Sequence, residues 1–139
     1  MIEVVVDTSV VVSALRSDGG ASRRVLRRCF DGDFRPLFGN ALWLEYEDVL
    51  KRDNWDKATT EMERLTVVAS LASVGRWVSI YFGWRPNLPD EGDNHLYELA
   101  VAGASEAIIT HNLRDFRGAE LKWNRPRVVT PAQALELEI

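Results

Sequence analysis

The fold is decided by the opening stretch Ile2-Glu3-Val4-Val5-Val6-Asp7-Thr8-Ser9, residues 2–9. Its apolar, mostly β-branched part ends at a polar turn, and this pattern predicts a buried strand of a parallel sheet. The apolar run from Val10 to Leu15 predicts a helix, for which Asp7 to Ser9 supply capping side chains. The start of the chain therefore predicts the first strand and helix of an α/β fold.

The alternation of strands and helices continues to the end of the chain. Further strands are predicted at Arg35–Phe38, Trp77–Tyr81, Ala107–Thr110 and Arg127–Val129. Helices are predicted from Ser22 as N-cap to Phe30, from about Ala41 to Lys51 after Asn40 as N-cap, from Thr60 to Ala72, from Asp93 to near Gly103, and from Pro131 onward. Such alternation is typical of a parallel sheet that helices cover on both faces. We therefore predict a three-layer α/β/α sandwich with a mostly parallel central sheet.

Length and composition limit the class of protein. The 139 residues suit a single domain, residues 1–139, and 46% hydrophobic and 27% charged residues are ordinary for a globular protein. A net charge of −4 argues against a protein that coats nucleic acid through bulk positive charge. No apolar run is long enough to cross a bilayer and no signal peptide is evident, so we expect a cytoplasmic protein. The single cysteine, Cys29, excludes an internal disulfide and a cysteine-based zinc site, and its apolar neighbours predict that it is buried.

Two acids are candidates for a site at the edge of the sheet. Asp7 follows the first strand, and ligand sites in parallel sheets form beyond the carboxyl ends of strands. Its alternative role is to cap the next helix. Asp93 opens a helix in which Leu96, Ala100 and Gly103 follow at helical spacing, so its carboxylate is predicted on the inward face. A structural role for Asp93 in the first helical turn is the alternative.

Further oxygen-bearing side chains are predicted near these acids. Glu45 falls at the margin of the apolar face of its helix, where surface salt bridging is the alternative role. Asn112 and Asp115 lie at the carboxyl end of the strand predicted at Ala107–Thr110, and Thr110 can hydrogen-bond a carboxylate or a metal-bound water, or cap the turn. Carboxylates without a cysteine or histidine cluster suit Mg²⁺ or Mn²⁺. Such a cation would bind a scissile phosphate and activate a water for in-line attack.

In these residues the chain resembles the PIN-domain family, specifically the toxin components of type II toxin–antitoxin pairs. The matching stretches are Val4–Ser9, Leu44–Leu50, Asp93–Ala100, Ile109–Phe116 and Arg127–Pro131, in the order of the family. The resemblance implies an α/β/α sandwich, a Mg²⁺ or Mn²⁺ site and endonucleolytic cleavage of single-stranded or structured RNA. It also implies a cognate antitoxin that blocks the site, and frequent homodimers.

The resemblance also assigns roles to individual residues. Asp7, Glu45 and Asp93 match the three family acids that bind metal, and these acids with Asp115 are the catalytic candidates; Thr8 and Ser9 match polar residues that support the first acid. Where many relatives carry a fourth acid, this chain has Asn112, which removes one negative charge. Asp115 is close enough in sequence to substitute for that acid, and Thr110 is a further supporting candidate.

An arginine-rich helix face is a candidate nucleic-acid surface. Arg23, Arg24, Arg27 and Arg28 are predicted to face outward from a helix that packs through Val25, Leu26, Cys29 and Phe30. With Arg114, they could follow an RNA backbone; the alternatives are that the face receives an acidic partner segment or is merely solvated.

Other function classes fit less well. A haloacid-dehalogenase-like phosphatase needs a second Asp where this chain has Ser9, and a receiver domain needs a lysine that residues 110–112 do not supply. The remaining alternative to a nuclease is a PIN-like module that binds RNA or protein without cutting, which Asn112 makes conceivable.

Overall fold

The computed structural model describes residues 1–16, 20–52, 55, 59–80, 91–116 and 126–138, and for residues 91–94 and 115 it describes the backbone only. These residues form a five-stranded, all-parallel sheet in the order β3-β2-β1-β4-β5. The strands are β1 (Ile2–Val6), β2 (Phe34–Phe38), β3 (Arg76–Trp77), β4 (Ala107–Ile109) and β5 (Arg127–Val129).

The first strand lies at the centre of the sheet. It pairs with β2 from Ile2 to Val4 and with β4 from Val4 to Val6, and Val4 and Val5 are completely buried. The chain first builds the sheet outward from β1 through β2 to β3, and then returns to the other side of β1 for β4 and β5. The carboxyl ends of β1 and β4 therefore border a topological switch point, where parallel sheets leave a crevice.

Helices cover the sheet in an α/β/α arrangement, confirming the predicted fold class. They are α1 (Thr8–Arg16), α2 (Ala21–Phe30), α3 (Asn40–Leu50), α4 (Glu61–Val74), α5 (Glu91–Ala102) and the short α6 (Pro131–Ala134), with a 3₁₀ helix at Leu113–Phe116. Helices α2 and α4 pack on β2 and on each other, whereas α5 packs on β1, β2 and β4. In the part of the chain that is described, no helix has both the length and the apolar character needed to cross a membrane.

The predicted starts of two helices are wrong. Helix α2 follows Gly20 as its N-cap, and Ser22 is instead buried with its hydroxyl at the His111 ring. Helix α3 already includes Asn40, with Gly39 as its N-cap and no side-chain cap. Local capping preference predicts Ser22 and Asn40 as caps, but the extended N-cap residues of the two helices are Gly20 and Gly39.

Three further predictions are corrected or confirmed by the packing. Strand β3 covers only Arg76–Trp77 of the described residues, whereas the prediction was Trp77–Tyr81; Tyr81 itself lies outside the described residues. Phe30 was predicted to face inward but is 43% exposed, because it is the last residue of α2 and lies at the rim of the packed face. Cys29 is buried as predicted, and burial raises the pKa of its thiol to about 12.

Candidate active site

The candidate site begins with a buried carboxylate at the switch point. Asp7 follows β1 and Thr110 follows β4, and their side chains are 4% and 0% exposed. The backbone N–H of Asp7 donates to the carbonyl of Ile109 at 2.9 Å, which continues the pairing of the two strands to their ends. Because β1 and β4 are parallel neighbours, their terminal polar residues are brought side by side.

Two hydroxyl groups hold the same oxygen of Asp7. Thr110 Oγ1 donates to Asp7 Oδ2 at 2.6 Å, and Ser9 Oγ donates to it at 2.9 Å. Thr110 in turn accepts the backbone N–H of Asn112 at 3.0 Å. No described residue is seen to donate to Oδ1. The carboxylate is thus fixed by uncharged donors, which orient it without cancelling its negative charge.

The second acid of the site is Glu45, and two other residues bind it. Thr8 Oγ1 donates to Glu45 Oε1 at 2.5 Å, and His95 Nε2 lies 2.7 Å from Glu45 Oε2. Burial alone raises the pKa of Glu45, but the hydrogen bonds from His95 and Thr8 and the charge of His95 outweigh it, so that the pKa is lowered. Glu45 therefore stays ionised and lies beside the residue that follows Asp7.

A buried tyrosine keeps α3 against the end of β1. The Tyr46 hydroxyl donates to the carbonyl oxygen of Val6, the residue before Asp7. Burial, and then the negative charge of Asp7, raise the pKa of Tyr46 well above its usual range, so the hydroxyl remains a donor. Since Glu45 precedes Tyr46, this contact also determines where the second acid lies.

His95 belongs to this hydrogen-bond network through its contact with Glu45, although its sequence position alone predicts no role for it. It lies on α5, its side chain is 19% exposed, and its Nδ1 is buried without a hydrogen-bond partner among the described residues. The chain has two histidines, and both lie next to predicted site positions: His95 two residues after Asp93, and His111 beside Asn112. Their positions close to predicted site residues are the sequence signal that could have made both histidines candidates.

The other predicted site residues are Asp93, Asn112, Arg114 and Asp115. Asp93 lies in the first turn of α5 and Asp115 in the 3₁₀ helix, but their side chains are outside the described part of the chain. Asn112 and Arg114 are exposed. Among the side chains that are described, no group of three or more His, Cys, Asp and Glu residues is arranged to hold a metal ion.

The arginine face of α2 is smaller than predicted. Arg23, Arg24 and Arg27 are exposed, but Arg28 is half-buried. The Arg28 guanidinium donates to the carbonyl of Leu135 at 3.3 Å and lies 5.9 Å from the centre of the Phe34 ring. Arg28 therefore fastens α2 to the C-terminal segment, a contact that helical periodicity alone does not reveal.

Comparison with known proteins gives a family match and a structural match. The family model of the PIN domain matches residues 3–114. A crystal structure of VapBC2 from Rickettsia felis, bound to a DNA fragment from their promoter, is similar with a TM-score of 0.63. The two sequences are 10% identical, and the match covers 93% of this chain and 98% of that chain. A search of curated proteins finds no match.

Proposed function

Because the chain belongs to the PIN-domain family, we propose that it is a divalent-metal-dependent endoribonuclease and the toxin of a toxin–antitoxin pair. The observation that carries the proposal is the buried Asp7 carboxylate at the carboxyl edge of the sheet, held by two hydroxyl donors. Among the described residues no cationic side chain pairs with Asp7, and a buried carboxylate left without one is costly, which favours binding of a cation. The proposal treats residues 1–139 as a single nuclease domain.

The donor set fits Mg²⁺ or Mn²⁺. Asp7 and Glu45 offer carboxylate oxygens, which hard cations prefer, and Asp7 Oδ1 has no donor among the described residues. With Asp93 from the first turn of α5, these acids would hold the ion. A bound ion would neutralise charge on the scissile phosphate and lower the pKa of the attacking water.

The surrounding residues position the acids. Thr110 and Ser9 orient Asp7, and Thr8 and His95 orient Glu45, each at hydrogen-bond distance. Such fixed orientation matters because loosely held groups lose much of the rate advantage of a preassembled site. Asn112 and Asp115 follow β4 on the same edge and complete the set of candidates, with Asp115 in the role of the missing fourth acid.

Cleavage of RNA by the purified protein is the test of this function. A panel of end-labelled single-stranded and structured RNAs is incubated with Mn²⁺, Mg²⁺ or EDTA, using the wild type, Asp7→Asn, Asp93→Asn and Glu45→Gln. Cleavage should require the cation and be lost in the Asp7 and Asp93 variants. Asp48→Asn is the matched control, because Asp48 lies on the same helix as Glu45 but pairs with Arg52 at the surface.

The outcomes separate the proposed nuclease from a non-catalytic PIN-like module. Cuts that need metal and disappear in the Asp7 and Asp93 variants, but not in Asp48→Asn, support the nuclease. If the wild type cuts nothing and calorimetry detects no Mn²⁺ binding, the acids are structural and the module that binds RNA or protein takes its place. Thermal unfolding gives a second readout, since a cation bound only by the folded state raises the Tm.

The partners follow from the same proposal: an RNA substrate, a cognate antitoxin and a second copy of the chain. The exposed Arg23, Arg24 and Arg27 on α2 suit either the RNA backbone or an acidic segment of the antitoxin. Replacing all three with alanine should flatten the salt dependence of RNA binding if they contact phosphates. An unchanged slope would leave this face to the protein partner or to solvent.

A further inference from the structure

A cleft lies directly beside the candidate acids. It has a volume of about 370 Å³ and opens between the start of α3, the end of β3 and the face of α5. Its lining includes Asn40, Trp77, Ser79, Ile80, His95 and Glu98. Pockets for small organic groups start at roughly 300 Å³, so the cleft is large enough for one nucleotide unit.

The cleft contains an aromatic platform. Trp77 is 49% exposed although it is a large apolar side chain. Its ring is stacked on Phe38, with centroids 6.4 Å apart and planes 20° apart, and Trp43 lies against it at 6.0 Å. Packing on these two rings holds the indole in place while about half of it stays accessible. A rigid, accessible aromatic ring of this kind is suited to stacking on a base.

His95 connects the cleft to the acids. The same side chain lines the cleft and lies 2.7 Å from Glu45 Oε2. A group in the cleft is therefore separated from Glu45 by one side chain. In an RNA strand whose scissile phosphate lies at the acids, a neighbouring base would come within reach of Trp77.

The chemistry of the lining favours a base over a phosphate. The described lining residues include no lysine or arginine that would bind a phosphate. Asn40 and Ser79 provide an amide and a hydroxyl that can bond the polar edge of a base.

We propose that this cleft is a subsite in which the Trp77 indole stacks on an unpaired nucleobase next to the scissile phosphate, so that the enzyme prefers single-stranded RNA. The proposal rests on the proposed ribonuclease function. Bases inside a duplex are already stacked and cannot reach the indole, whereas unpaired bases can. Any of the four bases can stack on an indole, so the subsite distinguishes unpaired from paired RNA more than one base from another.

Two substitutions of Trp77 distinguish base stacking by an aromatic ring from simple apolar contact. Trp77→Leu keeps an apolar side chain, Trp77→Phe keeps an aromatic one, and Met62→Ala is the control, since Met62 is 74% exposed on α4. The KM for a single-stranded oligonucleotide should rise roughly fivefold to 150-fold in Trp77→Leu, as expected for the loss of one stacked base. The kcat should stay within about twofold, Trp77→Phe should recover most of the loss, and Met62→Ala should match the wild type.

Binding to a catalytically inactive protein provides an independent readout. In the Asp7→Asn background, Trp77→Leu should weaken binding of the single strand and leave binding of a hairpin stem of equal length unchanged. Equal effects on both RNAs, or no effect, overturn the subsite, provided that circular dichroism shows a folded variant. A change of sedimentation coefficient instead of affinity would also overturn it, by assigning Trp77 to a contact between copies. If the wild type cleaves no RNA, the proposed function fails. The comparison of single-strand and hairpin binding then decides by itself whether Trp77 binds unpaired bases.

Discussion

Removal of the Thr110 hydroxyl tests whether the Asp7 network is built as described. In Thr110→Val the shape of the buried side chain is kept, but the donor at 2.6 Å from Asp7 Oδ2 is lost, and the Asn112 N–H loses its acceptor. A hydrogen bond to a charged group contributes about 1.5–3 kcal/mol. The extra buried methyl group returns roughly 0.8 kcal/mol. We therefore expect the free energy of unfolding in EDTA to fall by about 1–2 kcal/mol, measured by urea denaturation followed by circular dichroism.

The control and a double-mutant cycle make this prediction specific. Thr66→Val makes the same chemical change on the exposed side of α4, where the hydroxyl donates to the carbonyl of Met62 at 2.7 Å, and should change stability by less than about 0.5 kcal/mol. In the Asp7→Asn background, the cost of Thr110→Val should shrink, giving a coupling energy of about 1 kcal/mol or more. Equal costs for Thr110→Val and Thr66→Val, or zero coupling to Asp7, would show that the Thr110 hydroxyl does not stabilise the Asp7 carboxylate.

Three other predictions concern stability and reactivity away from the site. Gly75→Ala should lower the free energy of unfolding by about 1–3 kcal/mol, because a Cβ there would lie 2.4 Å from Phe38 Cε2 and 2.5 Å from the carbonyl oxygen of Pro36; an unchanged urea midpoint would contradict this. Thr60→Ala removes the capping box of α4 and should cost about 1 kcal/mol in the same assay. The Cys29 thiol, with its pKa raised to about 12 by burial, should resist a thiol reagent at pH 8 until urea unfolds the protein. Because the folded protein holds the thiol proton more tightly than the unfolded chain does, the raised pKa of Cys29 stabilises the fold fully below a pH of about 9.0. This stabilisation is lost as the pH rises from there to about 12.

Sequence patterns predict strands β1 and β5 better than strand β3. Both strands have the predicted bounds, Ile2–Val6 and Arg127–Val129, and their apolar residues are buried. The predicted strand at Trp77–Tyr81 is wrong. Strand β3 has one partner, β2, and pairs through Leu37 and Phe38 alone, so its length depends on where that partner ends. Local sequence carries no information about this long-range register.

The same division between local and long-range information applies to the candidate site. Asp7 and Thr110 could be placed together because both follow strands of one parallel sheet. Thr8 was predicted to support the first acid, but its hydroxyl donates to Glu45, and His95 reaches Glu45 from α5. These contacts depend on how α3 and α5 approach each other across the edge of the sheet. Helical periodicity gives the face of each helix but not the distance between two helices.

The two acids of the site are held in physically different ways, and this difference bears on cation binding. Both described donors to Asp7 are neutral hydroxyls, which fix its orientation and bring no positive charge. His95 Nε2 lies 2.7 Å from Glu45 Oε2 and helps to lower the pKa of Glu45. The same contact competes with any cation for Oε2. Asp7 is also the more buried acid, and its electrostatic interactions are screened less by solvent. Asp7 should therefore be the dominant ligand, and replacing it should weaken Mn²⁺ binding more than Glu45→Gln does.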